Sequence, residues 1–140
     1  MPIYTIETTY HLPVYRQRTY NADTIADACR KAIEDDGWDD AKEDVDTSGE
    51  TYVSGIWQGA DAAYSGPAIL IPSQFAETVE RKAGHFEILL GLLKLLLADV
   101  QAARPSSHEW IARARWAVAR GEAIIAGARD PDAPVEGDRP

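Results

Sequence analysis

Ile88-Leu89-Leu90-Gly91-Leu92-Leu93-Lys94-Leu95-Leu96-Leu97 decides the reading of this chain, because apolar residues there cover nearly the whole circumference of a helix. A surface helix carries one apolar stripe, so a belt interrupted only by Gly91 and Lys94 predicts cover on at least two sides. A bilayer span needs roughly 20 apolar residues, about twice this run. Glu87, Lys94 and Asp99 also sit in or beside it. The belt is therefore expected to be buried inside a protein rather than in a membrane, with Leu89, Leu92, Leu93 and Leu96 at core or interface positions.

Working outward, Ser73 after Pro72 is the expected N-cap of a long helix whose inward stripe is Phe75, Val79, Phe86, Leu89, Leu90 and Leu93, reaching Ala102 or Ala103. Pro105 stops it. Ser106 with Glu109 has capping-box spacing, so a second helix follows after a short connection. Its stripe of Trp110, Ala114, Ala117, Val118, Gly121, Ile124 and Ile125 is rich in small residues that permit close approach to the leucines, and Trp110 and Trp116 join the core or interface set. The pair makes an antiparallel helical hairpin over 73–129. Beyond it, 130–140 has no periodicity and is expected to be a disordered tail.

Upstream, Tyr4, Ile6, Thr8, Tyr10, Leu12 and Val14 alternate as a strand with one half-buried face, broken by Pro13, with a second strand expected over Val14 to Tyr20. Arg16 and Arg18 would then form a solvent-facing pair. Thr24 and Asp27 begin a helix whose stripe of Ile25, Ala28, Cys29, Ala32 and Ile33 faces the sheet, and Gly37 ends it. Residues Thr51 to Trp57 read as a further strand, partnered by Asp40 to Val45, and Gln58 to Pro72 as a loop packed along the body. The expected fold class is α+β: a small antiparallel sheet with one packed helix, then the helical hairpin. It forms one domain over 1–129, divided into a β/α part (1–60), a loop (59–72) and the hairpin.

Composition narrows the function classes. Hydrophobic residues are 45% and charged residues 26% of the 140, as in a folded globular protein. Cys29 is the sole cysteine, so an internal disulfide or a cysteine-based metal site within one chain is excluded, in keeping with a cytoplasmic setting. The net charge of −9 is local: Glu34, Asp35, Asp36, Asp39, Asp40, Glu43, Asp44, Asp46 and Glu50 stand against Lys42 alone. Direct nucleic-acid binding is disfavoured, since no concentrated positive stripe exists to displace counterions.

Motifs for catalysis are missing. His11, His85 and His108 have no paired-ligand spacing, and there is no phosphate loop or nucleophile elbow. Asp44-Val45-Asp46-Thr47-Ser48-Gly49 copies the first half of a calcium loop, but Gly55 stands where the closing glutamate belongs. Asp44, Asp46 and Ser48 are accordingly a subordinate metal-binding set, and no cofactor is expected.

Tyr4-Thr5-Ile6-Glu7-Thr8-Thr9-Tyr10, Ala22-Asp23-Thr24 before an alanine-rich helix, and Ser48-Gly49-Glu50-Thr51-Tyr52-Val53-Ser54-Gly55-Ile56-Trp57 together resemble a family of small bacterial proteins carried on plasmids and other mobile elements. The resemblance implies a fold, and no activity comes with it. The expectation is a non-enzymatic interaction module whose acidic segment meets a basic protein surface, as an inhibitor or a nucleic-acid mimic. The alternatives are a homodimeric scaffold built on the leucine-rich helix and a divalent-cation-binding protein.

Overall fold

Strand β1 (Tyr4–Thr9) pairs antiparallel with a strand from the middle of the chain, Tyr52–Gln58, in the computed structural model, which describes residues 1–133. Between these strands come a short strand β2 (Val14–Tyr15), helix α1 (Ile25–Glu34) and strand β3 (Lys42–Glu43), so the Tyr52–Gln58 strand is β4. Helices α2 (Thr78–Gln101) and α3 (His108–Ala126) follow. The architecture is α+β with a C-terminal pair of helices, as the sequence predicts.

Strand pairing departs from the expected partnership of Thr51–Trp57 with Asp40–Val45. Thr9 faces Tyr52 across the β1–β4 ladder, while β2 pairs with β3, Val14 opposite Glu43. The chain forms two compact units: Met1–Thr9 with the described chain from Tyr52, and Tyr10–Thr51. Thr9 opposite Tyr52 brackets the inserted stretch, which has its own β2–β3 pair.

In the first unit the covered face of β1 is the polar one. Thr5, Glu7 and Thr9 are half-buried, whereas Tyr4 and Ile6 are exposed, the reverse of the expected face. Trp57 explains it. Its indole is 4% exposed and lies across Gly55, where a Cβ would come within 2.3 Å of the ring, and these two residues pair with Thr5 and Glu7. Tyr64 covers the indole with ring centroids 4.8 Å apart and donates its hydroxyl to Glu7 Oε2 at 2.5 Å. The ladder shifts register after Glu7, leaving Ser54 as a bulge residue whose hydroxyl bonds the Glu7 carboxylate at 2.7 Å and the Thr9 hydroxyl at 2.6 Å. The Gln58–Pro72 loop runs back beside the strand, with Ile69 N donating to Ile56 O.

Capping follows the predicted chemistry with shifts of position. Thr24 caps α1, accepting from Asp27 N, but α1 ends at Glu34, before Gly37. Ser107, rather than Ser106, caps α3 by accepting from Trp110 N; Ser106 donates to Asp99, which also receives Arg104 Nε. Ser73 opens only a single 3₁₀ turn, and α2 begins at Thr78. Gly127 closes α3 at φ +67°, the left-handed position that favours glycine.

Candidate interaction surfaces

The acidic segment is organised from the inside by two arginines. Arg16, with a side chain 7% exposed, donates to the carbonyls of Ala32, Asp35 and Gly37 and stacks 3.8 Å over the Trp38 ring. It satisfies the orphan carbonyls at the C-terminal end of α1 and complements the negative end of the helix dipole. Arg18 reaches Asp35 Oδ2 at 2.8 Å and also binds Asp40. The expected solvent-facing pair is thus corrected: both arginines are turned onto the segment that follows α1. Tyr20 donates to Asp35 at 2.7 Å, Gly37 N adds a third bond, and with Arg18 they hold the Asp35 carboxyl far below its ordinary 3.8. The bond from Arg18 likewise lowers Asp40.

Asp35, Asp40 and Asp44, among the nine predicted acidic contact residues, are therefore committed within this unit. Asp35 and Asp40 clasp Arg18, and Asp44 accepts from Asp46 N at 3.1 Å and Thr47 Oγ1 at 2.8 Å, capping the turn Val45–Thr47. Glu34, Asp36, Asp39, Glu43, Asp46 and Glu50 are exposed. Of the candidate metal set Asp44, Asp46 and Ser48, Asp44 has both carboxylate oxygens engaged in its own turn. Among the described residues no group of three or more His, Cys, Asp or Glu could hold a metal ion.

Helix α1 has no buried residue: Ile25 and Ile33 are exposed, and so is Cys29, which the sequence places in the core. The helix is held at its ends, by Thr24 at one and Arg16 at the other.

In the helical hairpin, sequence reasoning missed the polar knot at the start of α2. Arg81 and His85 are both buried, the imidazole to 2% exposure. His85 Nε2 lies 2.6 Å from Ala117 O, which can only accept, so Nε2 carries the proton; Nδ1 then accepts from Arg120 Nη1 at 2.9 Å. Asp130 bridges Arg81 at 2.6 Å and Arg120 at 3.1 Å, while its backbone N donates to the Ser73 hydroxyl at 2.8 Å. Burial pushes the Asp130 carboxyl up, and the hydrogen bonds from Arg81 and Arg120 more than reverse this, leaving it below its ordinary value. Trp116 stands edge-on to His85 and donates to Pro131 O at 3.3 Å. The tail expected to be loose from Asp130 is instead fastened at its first residues; 134–140 lie outside the described residues.

That knot fixes which side of α2 meets α3, and the choice overturns the expected burial of the leucines. Arg81, His85, Leu92, Leu96 and Asp99 of α2 are covered to varying degree, as are Ala117, Gly121 and Ile124 of α3, with His85 seated on Ala117 and Gly121. Phe86, Leu90, Leu93 and Val79, predicted to face inward, are turned out. Leu93 is 62% and Val100 74% exposed. Val79, Ala83, Phe86, Leu90, Leu93, Leu97 and Val100 recur at alternating steps of four and three, the a/d spacing of a helix seam, and every one is exposed. Leu89 is exposed beside this seam, and Leu96 leads from it into an apolar groove lined by Ile111, Ala114 and Val118. Trp110 stands exposed over the other flank, near Leu95. The spacing was readable in the sequence. Its outward direction was not.

No helix among the described residues is long and apolar enough to cross a membrane. No family model, curated protein or solved structure matches this chain.

Proposed function

We propose that this chain is a non-enzymatic protein–protein interaction module that works through the outer face of its helical hairpin. The observation that carries this reading is the exposed seam from Val79 to Val100. At roughly 150–250 Å² for each large side chain, the exposed fractions along the hairpin sum to on the order of 1,000 Å². That exceeds the roughly 300–600 Å² of the largest apolar patch on a typical monomer. A membrane surface fits less well, because the charges flanking the seam, Glu80, Lys82, Glu87 and Lys94, mix both signs instead of forming a basic face.

Gel filtration of lysate from the source cell tests the reading. The chain should elute in a particle larger than its own 15.4 kDa, and Leu93→Lys should return it to monomer size. Wild-type chain eluting as a monomer would overturn it. Because Leu93 is exposed, that substitution leaves the packing of α2 on α3 intact.

The acidic segment supports a second contact. Arg16 and Arg18 hold its backbone and the Asp35 and Asp40 carboxylates, so Glu34, Asp36, Asp39, Glu43 and Asp46 project from a fixed support. In this reading they steer a basic protein partner, and recovery of that partner falls steeply as salt is raised. Carriage on a mobile element, implied by the resemblance to plasmid-borne proteins, belongs to the same proposal, and genomic neighbours encoding transfer or defence functions would support it.

A further inference from the structure

We infer that the occupant of the hairpin face is a second copy of this chain, its α2 lying antiparallel to the first about a two-fold axis between Leu90 and Leu93, so that two hairpins close a four-helix bundle. This rests on the reading of the hairpin as the contact surface, and three observations select the partner and its direction.

The first is the width of the stripe. With Val79, Phe86, Leu93 and Val100 at d and Ala83, Leu90 and Leu97 at a, the g positions are Lys82, Leu89 and Leu96. Two of the three are apolar, and Leu96 joins the seam to the groove beside α3. A stripe of a, d and g belongs to a bundle; a two-stranded coil uses a and d alone.

The second is charge. The e positions are Glu80, Glu87, Lys94 and Gln101. Antiparallel helices set e against e and g against g. One register then brings Leu90 beside Leu93 of the second copy, Leu89 beside its Leu96 and Glu87 beside its Lys94, each pair made twice by symmetry. A parallel pair would set g against e, joining Lys82 to Glu87 but putting Leu89 on Lys94 and Leu96 on Gln101. Only the antiparallel sense sets the apolar g positions on each other while still pairing opposite charges.

The third is area. The seam runs about 32 Å along α2, at 1.5 Å per residue. The exposed parts of the seam and Leu89 amount to about four full side chains, on the order of 600–800 Å² on each copy, and with the adjoining Ile111–Val118 groove this reaches the roughly 800 Å² per partner of a stable interface.

The test uses the purified full-length chain carrying Cys29→Ser, because Cys29 is an exposed thiol. Light scattering at tens of micromolar, roughly the range where weak dimers appear, should return twice 15.4 kDa. Mild oxidation of Glu87→Cys with Lys94→Cys should give a covalent dimer. The two sites are about 10 Å apart along one helix, beyond the roughly 7 Å limit between Cα atoms of a disulfide, so the bond must join two chains. Glu87→Lys and Lys94→Glu should each weaken association about three- to tenfold, and the double exchange should restore it. A monomer at these concentrations would overturn the inference, as would cross-linking through Leu93→Cys alone, which reports parallel helices. If the purified chain is monomeric while the lysate still shows a larger particle abolished by Leu93→Lys, the second copy is excluded and the hairpin reading stands.

Discussion

At the scale of single residues, two buried cations determine more of this structure than the apolar side chains. Arg16 gives its guanidinium to three carbonyls at the end of α1. Arg16→Met keeps the volume but leaves those acceptors dry, and should cost about 2 kcal/mol. The loss should appear in the unfolding of Tyr10–Thr51, followed by the signal of Trp38. Asp130 performs the matching task for Arg81 and Arg120. Its carboxyl lies below the ordinary 3.8, so its contribution is full above that value and disappears as pH falls through the lowered one. Asp130→Asn should therefore lower the melting temperature at neutral pH, through about 1–3 kcal/mol lost at a mostly buried arginine. Wild type and variant should converge in acid, and a gap that persisted at the lowest pH would show that the charge is not responsible. The signal in the sequence was faint: Arg81 and His85 stand four apart on a helix, which seldom buries an arginine unless a carboxylate meets it.

At the scale of elements, strand β4 and the turn before it show opposite uses of small residues. Gly55 is required because the Trp57 ring occupies the space a Cβ would need. Gly55→Ala should cost about 1–3 kcal/mol by overpacking. In combination with Trp57→Ala the penalty should shrink, since the two residues share one space; a urea titration of the four proteins gives the coupling. The turn Val45–Thr47, in contrast, is complete within itself, with both Asp44 oxygens already accepting. Calcium at millimolar concentration should leave the melting temperature unmoved, and a rise would revive the cation-binding alternative. Helix α3 was legible because its small residues and the stop at Pro105 act locally, although its cap fell one residue later, at Ser107. The strand partners were not, since β2 and β3 are two residues each and hold no pattern long enough to name a neighbour.

At the scale of the whole molecule, the question is where the leucines of α2 lose their water. If a second copy covers them, stability is linked to concentration, and the melting temperature should climb as the chain is raised from about 1 to about 100 µM. Leu93→Lys should abolish that dependence while unfolding at the wild type's most dilute value. The sequence by itself determined the α+β class, the helical pair, the cap at Thr24 and the acidic run, because propensity, capping and charge act between near neighbours in the chain. It also showed that α2 is apolar on nearly every side, and for that reason it could not say which side would meet α3. Only the tertiary structure decided this. A carbonyl at Ala117 and a carboxylate at Asp130 receive His85 and Arg81, desolvated groups that must have partners, and their demand turns one face of the helix inward. Leucines can be satisfied by any apolar neighbour, so Leu90, Leu93 and Leu97 were left on the outside.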